Sequence, residues 1–159
     1  MKKVLTLLTF TAMFCFGQDI LDLETVCNSG DAKSCRHLGN LYYHGQGVEQ
    51  DYKKAFEFYT KGHHGGDAKA CGNLGVLYEN GHGVEQDHKK AFEHHTKGCD
   101  GGSAEACYNL ANLYYDSEVK LQAKEYFGKA CHLGEQDGCS EYAKLNLSEE
   151  IDSIEIAKK

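Results

Sequence analysis

The sequence predicts an all-α fold, an α/α superhelix of disulfide-linked helix-turn-helix repeats, and three features of the chain carry that prediction. Cysteines recur as Cys-x7-Cys pairs, Cys27 with Cys35 and Cys99 with Cys107, set two periods of 36 residues apart. The stretch Leu38, Gly39, Leu41, Tyr42 returns as Leu74, Gly75, Leu77, Tyr78 and again as Leu110, Ala111, Leu113, Tyr114. The chain holds 18 glycines and no proline, so glycine alone punctuates it. A fixed period with conserved internal spacing is the mark of a repeat array.

Taken in order, residues 1–17 carry Lys2 and Lys3, an apolar run from Val4 to Phe16, and small residues Cys15 and Gly17 before a cut at Gln18. That pattern predicts a secretory signal peptide, too short to stay as a membrane anchor. The repeat domain follows over 18–147. Each copy opens on Asp31, Asp67 or Ser103, whose short side-chain oxygen can accept from the free amides of a helix start. The first helix ends at Gly45-Gln46-Gly47 or Gly81-His82-Gly83, where glycine permits a positive φ. A second helix carries Ala55, Phe56, Phe58 and Tyr59, matched by Ala91, Phe92, His94 and His95, then by Ala123, Lys124, Tyr126 and Phe127. The third copy has a shorter loop, Asp116-Ser117-Glu118-Val119, without the paired glycines. Residues 148–159, with Ile151, Ile154 and Ala157 at helical spacing, read as a capping helix over the last repeat face. One hairpin cannot bury its apolar face alone, so stability must come from stacking.

Export makes the cysteines interpretable. The period favours local pairing, Cys27–Cys35, Cys99–Cys107 and Cys131–Cys139, each joining one hairpin's second helix to the next hairpin's first. Structural zinc would want close pairs such as Cys-x2-Cys, which are missing here. The middle link is broken, because the partner position of Cys71 is His63. Cys71 is therefore expected to be a free thiol. A buried inert thiol is the favoured fate, with an intermolecular disulfide or an imidazole-activated thiolate as the alternatives.

Candidate sites are fewer. Loss of Lys2 and Lys3 with the leader takes the formal charge from −7 to −9, which argues against nucleic acid or an anionic membrane as partner. His82, His88, His94 and His95 crowd the second repeat, and His88 and His95 share a helix face. Since His94 and His95 occupy the places of Phe58 and Tyr59, they read as aromatic substitutes in the packing, and no metal or other cofactor is expected. Helical spacing aligns Arg36, Asn40 and Tyr43 on one stripe opposite Leu38 and Tyr42, and the same offsets give Tyr108, Asn112 and Tyr115. These six residues are the predicted ligand-binding face, with flat apolar surface and hydrogen-bonding groups suited to a peptide or glycan fragment.

The run Gly30, Ala32, Cys35, Leu38, Gly39, Leu41, Tyr42, then Gly45, Gly47, Val48, Asp51, Lys54 and Ala55, resembles the Sel-one-like repeats of the Helicobacter cysteine-rich proteins over about Leu21 to Leu145. The resemblance implies a secreted or periplasmic superhelix related to tetratricopeptide arrays. It also implies partners such as a peptide, a peptidoglycan fragment or a β-lactam, host or envelope proteins among them, and offers β-lactam hydrolysis as the alternative function. The residues themselves do not supply a catalytic site. Ser117-Glu118-Val119-Lys120 matches a Ser-x-x-Lys string that chance alone provides, and Thr60-Lys61-Gly62 and Thr96-Lys97-Gly98 run in the wrong order for Lys-Thr-Gly. The catalytic residue stays unassigned, and a monomer is expected.

The pairing scheme makes a prediction. Thiol titration in denaturant without reductant is expected to find one free thiol per mature monomer. His63→Cys is expected to remove that thiol and to stabilise the second repeat by about 2.5 kcal/mol on the chain-entropy account of short loops, read as a higher melting temperature. A parent chain with no titratable thiol as a monomer would refute the scheme.

Overall fold

The computed structural model describes residues 19–157, with side chains described through 148. The predicted signal peptide lies outside the described residues. Eight helices and no strand are found among the described residues. A helical segment at 19–28, α1, precedes α2 (Ala32–His44), α3 (Tyr52–His64), α4 (Ala68–Asn80), α5 (His88–Asp100), α6 (Ala104–Asp116), α7 (Lys120–His132) and α8 (Gln136–Ala157). Three hairpins, α2 with α3, α4 with α5 and α6 with α7, stack in chain order, and α8 closes against α7.

Each boundary has a local cause. Asp31 accepts from Ser34 N, Asp67 from Ala70 N and Ser103 from Ala106 N, the cap expected of short side-chain oxygens. Asp51 and Asp87 cap the second helices in the same way, through the amides of Lys54 and Lys90. Gly45 and Gly81 close the first helices at φ 67° and 68°, left-handed backbone that glycine adopts without a Cβ penalty. The loops are then pinned from the side: Gln50 Nε2 donates to Tyr43 O at 2.8 Å and Gln86 Nε2 to Glu79 O at 2.7 Å. The shorter third loop has neither device. Its turn is made by Glu118 at φ 61°, and Val119 gives α7 no side-chain cap.

Within each hairpin an aromatic ring from the second helix lies on a small residue of the first. A Cβ on Gly39 would overlap the ring of Tyr59, and one on Gly75 would fall 2.6 Å from Cε1 of His95. Phe127 packs with Ala111 and Ala123 in the third hairpin. Between hairpins the spacing is equally tight, since a Cβ on Gly62 would lie 2.9 Å from Ala70 Cβ, and on Gly98 2.8 Å from Ala106 Cβ. Leu38, Leu74, Leu77 and Leu110 fill the layer between these contacts.

The three disulfides are Cys27–Cys35, Cys99–Cys107 and Cys131–Cys139, with Cα atoms 4.5–4.7 Å apart. They join α1 to α2, α5 to α6 and α7 to α8, and the α3–α4 junction carries Cys71 as a free, buried thiol. The C-terminal expectation needs adjustment. Residues 148–157 are helical but form no separate element, because α8 runs unbroken from Gln136. Ser148 does not cap a new helix; its Oγ donates to Leu145 O at 2.8 Å, bonding back into the turn before it.

The ring-on-glycine contact is open to test. Gly39→Ala is expected to destabilise the array by about 1–3 kcal/mol through overpacking of the buried Tyr59 ring, measured as a lowered urea midpoint with the slope unchanged.

Candidate functional site

The first helices of the hairpins touch one another, α4 with α6 and with α2, so they form the inner layer of the superhelix. A hollow of about 320 Å³ lies on that layer, lined by Arg36, Asn40, Tyr43 and His44 of α2, Tyr59 of α3, Lys69, Asn73 and Val76 of α4, and Glu105 of α6. Arg36, Asn40 and Tyr43 are thus brought together as the helical stripe predicted. Tyr108, Asn112 and Tyr115 do not line this hollow. Their counterparts in the second repeat are Gly72, Val76 and Glu79, so the asparagine and tyrosine of the stripe are missing in the middle of the array. Tyr108 packs at 5.6 Å on Phe127, whereas Tyr115 is 48% exposed.

Two of the hollow's residues are already committed to structure. Arg36 Nε lies 3.1 Å from the Asp67 carboxylate, and Asp67 is also the cap of α4. Asn40 Oδ1 accepts from Tyr59 Oη at 2.8 Å and from Asn73 Nδ2 at 3.1 Å. Burial drives the Tyr59 phenol far above its ordinary pKa, so it serves as a fixed donor. The free hydrogen-bonding capacity of the hollow comes from Lys69, Glu105 and the Tyr43 hydroxyl, whose pKa burial also raises. Tyr43 is held in an aromatic group with Tyr52 and His82, and His82 stacks on Tyr52 at 4.3 Å.

The histidines of the second repeat divide into different environments. His95 is fully buried on Gly75 in the position of Tyr59, with Nε2 3.3 Å from Glu79 Oε2. That hydrogen bond is the main cause of a lowered Glu79 pKa. His94 stacks on Tyr78 at 5.4 Å, as Phe58 does on Tyr42 and Tyr126 on Tyr114. Both readings as aromatic substitutes describe the packing correctly. The sequence reading missed a second association: His63, Cys71 and His94 present ligand atoms all within 4.8 Å of one another. Cys71 Sγ is 3.6 Å from His94 Nδ1 and donates to His94 O at 3.3 Å. Burial holds His94 down at about 4 and lowers His63, keeping both imidazoles neutral. Burial pushes the Cys71 thiol up, the direction opposite to an imidazole-activated thiolate. The signal was present in the repeat alignment, since His63 stands where the flanking repeats carry cysteine and His94, like its neighbour His95, stands where they carry an aromatic.

Ser117 does not begin a helix one turn ahead of Lys120. It ends α6, its Oγ donates to Leu113 O at 2.8 Å, and Lys120 starts the next helix.

A stack of αα-hairpins with a lined inner face defines a solenoid of the protein-interaction class. The chain matches the Sel1 repeat at residues 32–63, 68–103 and 104–135, and it belongs to that family. Among solved structures, Helicobacter pylori cysteine-rich protein B is similar at a TM-score of 0.64 and 25% identity, over 80% of this chain and 95% of that one. A Sel1 repeat protein from Oxalobacter formigenes has a TM-score of 0.71 at 22% identity, over 77% of this chain and 51% of its own. A protective antigen of uropathogenic Escherichia coli with the same repeat fold scores 0.69 at 26% identity, over 77% and 27%. The chain thus spans about half of the Oxalobacter protein and about a quarter of the E. coli antigen. Comparison with curated protein sequences finds no match. The resemblance to the Helicobacter cysteine-rich proteins therefore holds at the level of family and fold.

The double duty of Asp67 gives a comparative prediction. Asp31→Ala removes a cap alone and is expected to cost about 1 kcal/mol. Asp67→Ala also strands Arg36 and should cost roughly 0.5–1 kcal/mol more, seen as a larger fall in unfolding free energy. Equal costs would show that the ion pair contributes nothing.

Proposed function

We propose that the protein is an exported interaction scaffold whose inner face receives an extended peptide segment or a cell-wall fragment. The observation that carries this reading is the hollow spanning α2, α4 and α6, which sets Tyr43 and the opposite charges Lys69 and Glu105 beside Asn40 and Val76. An extended chain needs alternating flat apolar contact and hydrogen-bonding groups along a groove, and this surface offers both. Tyr43 is the anchor in this reading, with Asn40 and Arg36 shaping the floor and Asn112 and Tyr115 extending the face towards the C-terminal end. Three disulfides fit an oxidising compartment outside the cytoplasm. Among the described residues no helix is long and apolar enough to cross a membrane.

The test is binding of purified muropeptides and of a panel of extended peptides, followed by fluorescence anisotropy. Tyr43→Ala and the Asn40→Ala/Asn112→Ala double variant are expected to weaken binding at least tenfold while circular dichroism stays unchanged. Identical affinities for parent and variants would remove the site assignment. Nitrocefin turnover or covalent acylation in the same samples, abolished by one substitution, would replace the scaffold reading with β-lactam hydrolysis.

A further inference from the structure

The α3–α4 junction differs from the other junctions in kind. At α1–α2, α5–α6 and α7–α8 two sulfurs close the link. At α3–α4 one sulfur is kept and the opposite position holds His63. Loss of a crosslink by drift would permit any residue there, with no demand on the neighbouring helix. Yet the neighbouring helix has changed too. The position stacked on the tyrosine of the first helix is Phe58 in the first hairpin and Tyr126 in the third, and it is His94 in the second. The two departures are 31 positions apart and lie on different helices. Both are to imidazole, and both rings reach the same sulfur.

We propose that His63, Cys71 and His94 form a three-ligand site for a thiolate- and imidazole-preferring transition-metal ion, zinc first among them, which takes the structural place of the missing disulfide. A tetrahedral zinc with bonds of about 2.3 Å to sulfur and 2.0–2.1 Å to nitrogen has an S···N edge of about 3.5 Å. The Cys71 Sγ to His94 Nδ1 distance is 3.6 Å, so that edge already stands at the coordinated spacing. All three ligand atoms lie within 4.8 Å of one another, and closing the remaining edges asks for about 1 Å of side-chain movement by the half-buried His63. His94 is held in place by its stack on Tyr78, with 14° between the ring planes. Binding forms a metal–sulfur bond at Cys71 and releases the thiol proton to solvent, and no electron is transferred. Three protein ligands leave the fourth position to water.

Packing alone does not account for His94. In the flanking hairpins a lysine one turn later covers the stacked ring, Lys61 Nζ at 5.2 Å from Phe58 and Lys129 Nζ at 6.0 Å from Tyr126. Lys97 is the counterpart here. A phenyl or phenol ring serves such a cation better than an imidazole does, so what histidine adds at 94 is a nitrogen lone pair beside Cys71. Lys97 is also the cation nearest the site, and it sits on the exposed side of α5, where its ammonium can turn to solvent.

The experiment uses the full mature chain with its disulfides intact and without a polyhistidine tag. It is stripped with chelator, then titrated with zinc and, as a spectroscopic stand-in, with cobalt(II). One equivalent is expected to bind, with a thiolate-to-cobalt charge-transfer band in the near ultraviolet. Zinc should protect Cys71 from thiol reagents in the folded protein. Two variants restore the residues of the first repeat and are therefore expected to fold: His94→Phe and His63→Cys. Each should lose the charge-transfer band and at least tenfold in zinc affinity, with the helical circular dichroism of the parent. Cobalt binding without the sulfur band, or zinc affinity equal in parent and both variants, would place the ion elsewhere and overturn the proposal. No binding at all to the parent would overturn it equally.

Discussion

The contact on which the rest of the structure depends is a flat ring pressed against a residue with almost no side chain. Tyr59 on Gly39, His95 on Gly75 and Phe127 on Ala111 set how closely the two helices of each hairpin approach. A small residue recurs at that place in each unit, and the next hairpin docks on that unit with Gly62 against Ala70 and Gly98 against Ala106. The period of 36 residues is thus a packing repeat before it is a sequence repeat. A ring slightly different in size is accommodated, since imidazole replaces phenol at 95. A larger residue at the small position has no room to enter, because the interior is packed to crystal-like density.

The disulfides act on a different part of the problem. They lie at the junctions between hairpins, where each spans only the turn and holds no distant parts of the chain together. Their entropic contribution is therefore that of a short loop, and it accrues junction by junction. In a quasi-one-dimensional array stability is a sum of unit and interface terms. One junction can lose its crosslink without unfolding its neighbours, and the second repeat has done so while keeping Leu74, Leu77 and Ala91 as buried as their counterparts.

Most of the architecture could be read from the chain because its determinants are local. The caps at Asp31, Asp67 and Ser103, the left-handed glycines at 45 and 81, and the pairing of six cysteines all depend on residues within about ten positions of one another. The stripe of Arg36, Asn40 and Tyr43 follows from helical spacing alone. What the chain did not reveal depends on the path between repeats. The commitment of Arg36 to Asp67 crosses 31 positions, and that of Asn40 to Tyr59 crosses a hairpin. The separation of Tyr108, Asn112 and Tyr115 from the hollow reflects the middle repeat, where Gly72, Val76 and Glu79 interrupt the stripe. The helical spacing at 151, 154 and 157 does not tell a new helix from the continuation of one, and α8 runs unbroken through Ser148, whose Oγ bonds back to Leu145 O.

The same distinction separates the two ways of grouping the histidines. Periodicity relates residues on a single face, so it paired His88 with His95. The stack instead relates the end of one hairpin's second helix to the middle of the next, which is how His63 of α3 and His94 of α5 come to flank Cys71 of α4. In a repeat array a departure from consensus is informative only when set beside departures at positions that the stack brings together. A single Cys-to-His change at 63 reads as a lost crosslink. Paired with an aromatic-to-His change at 94, and with the sulfur between them retained, it becomes a question about coordination chemistry, posed at the junction where no disulfide ties up the sulfur.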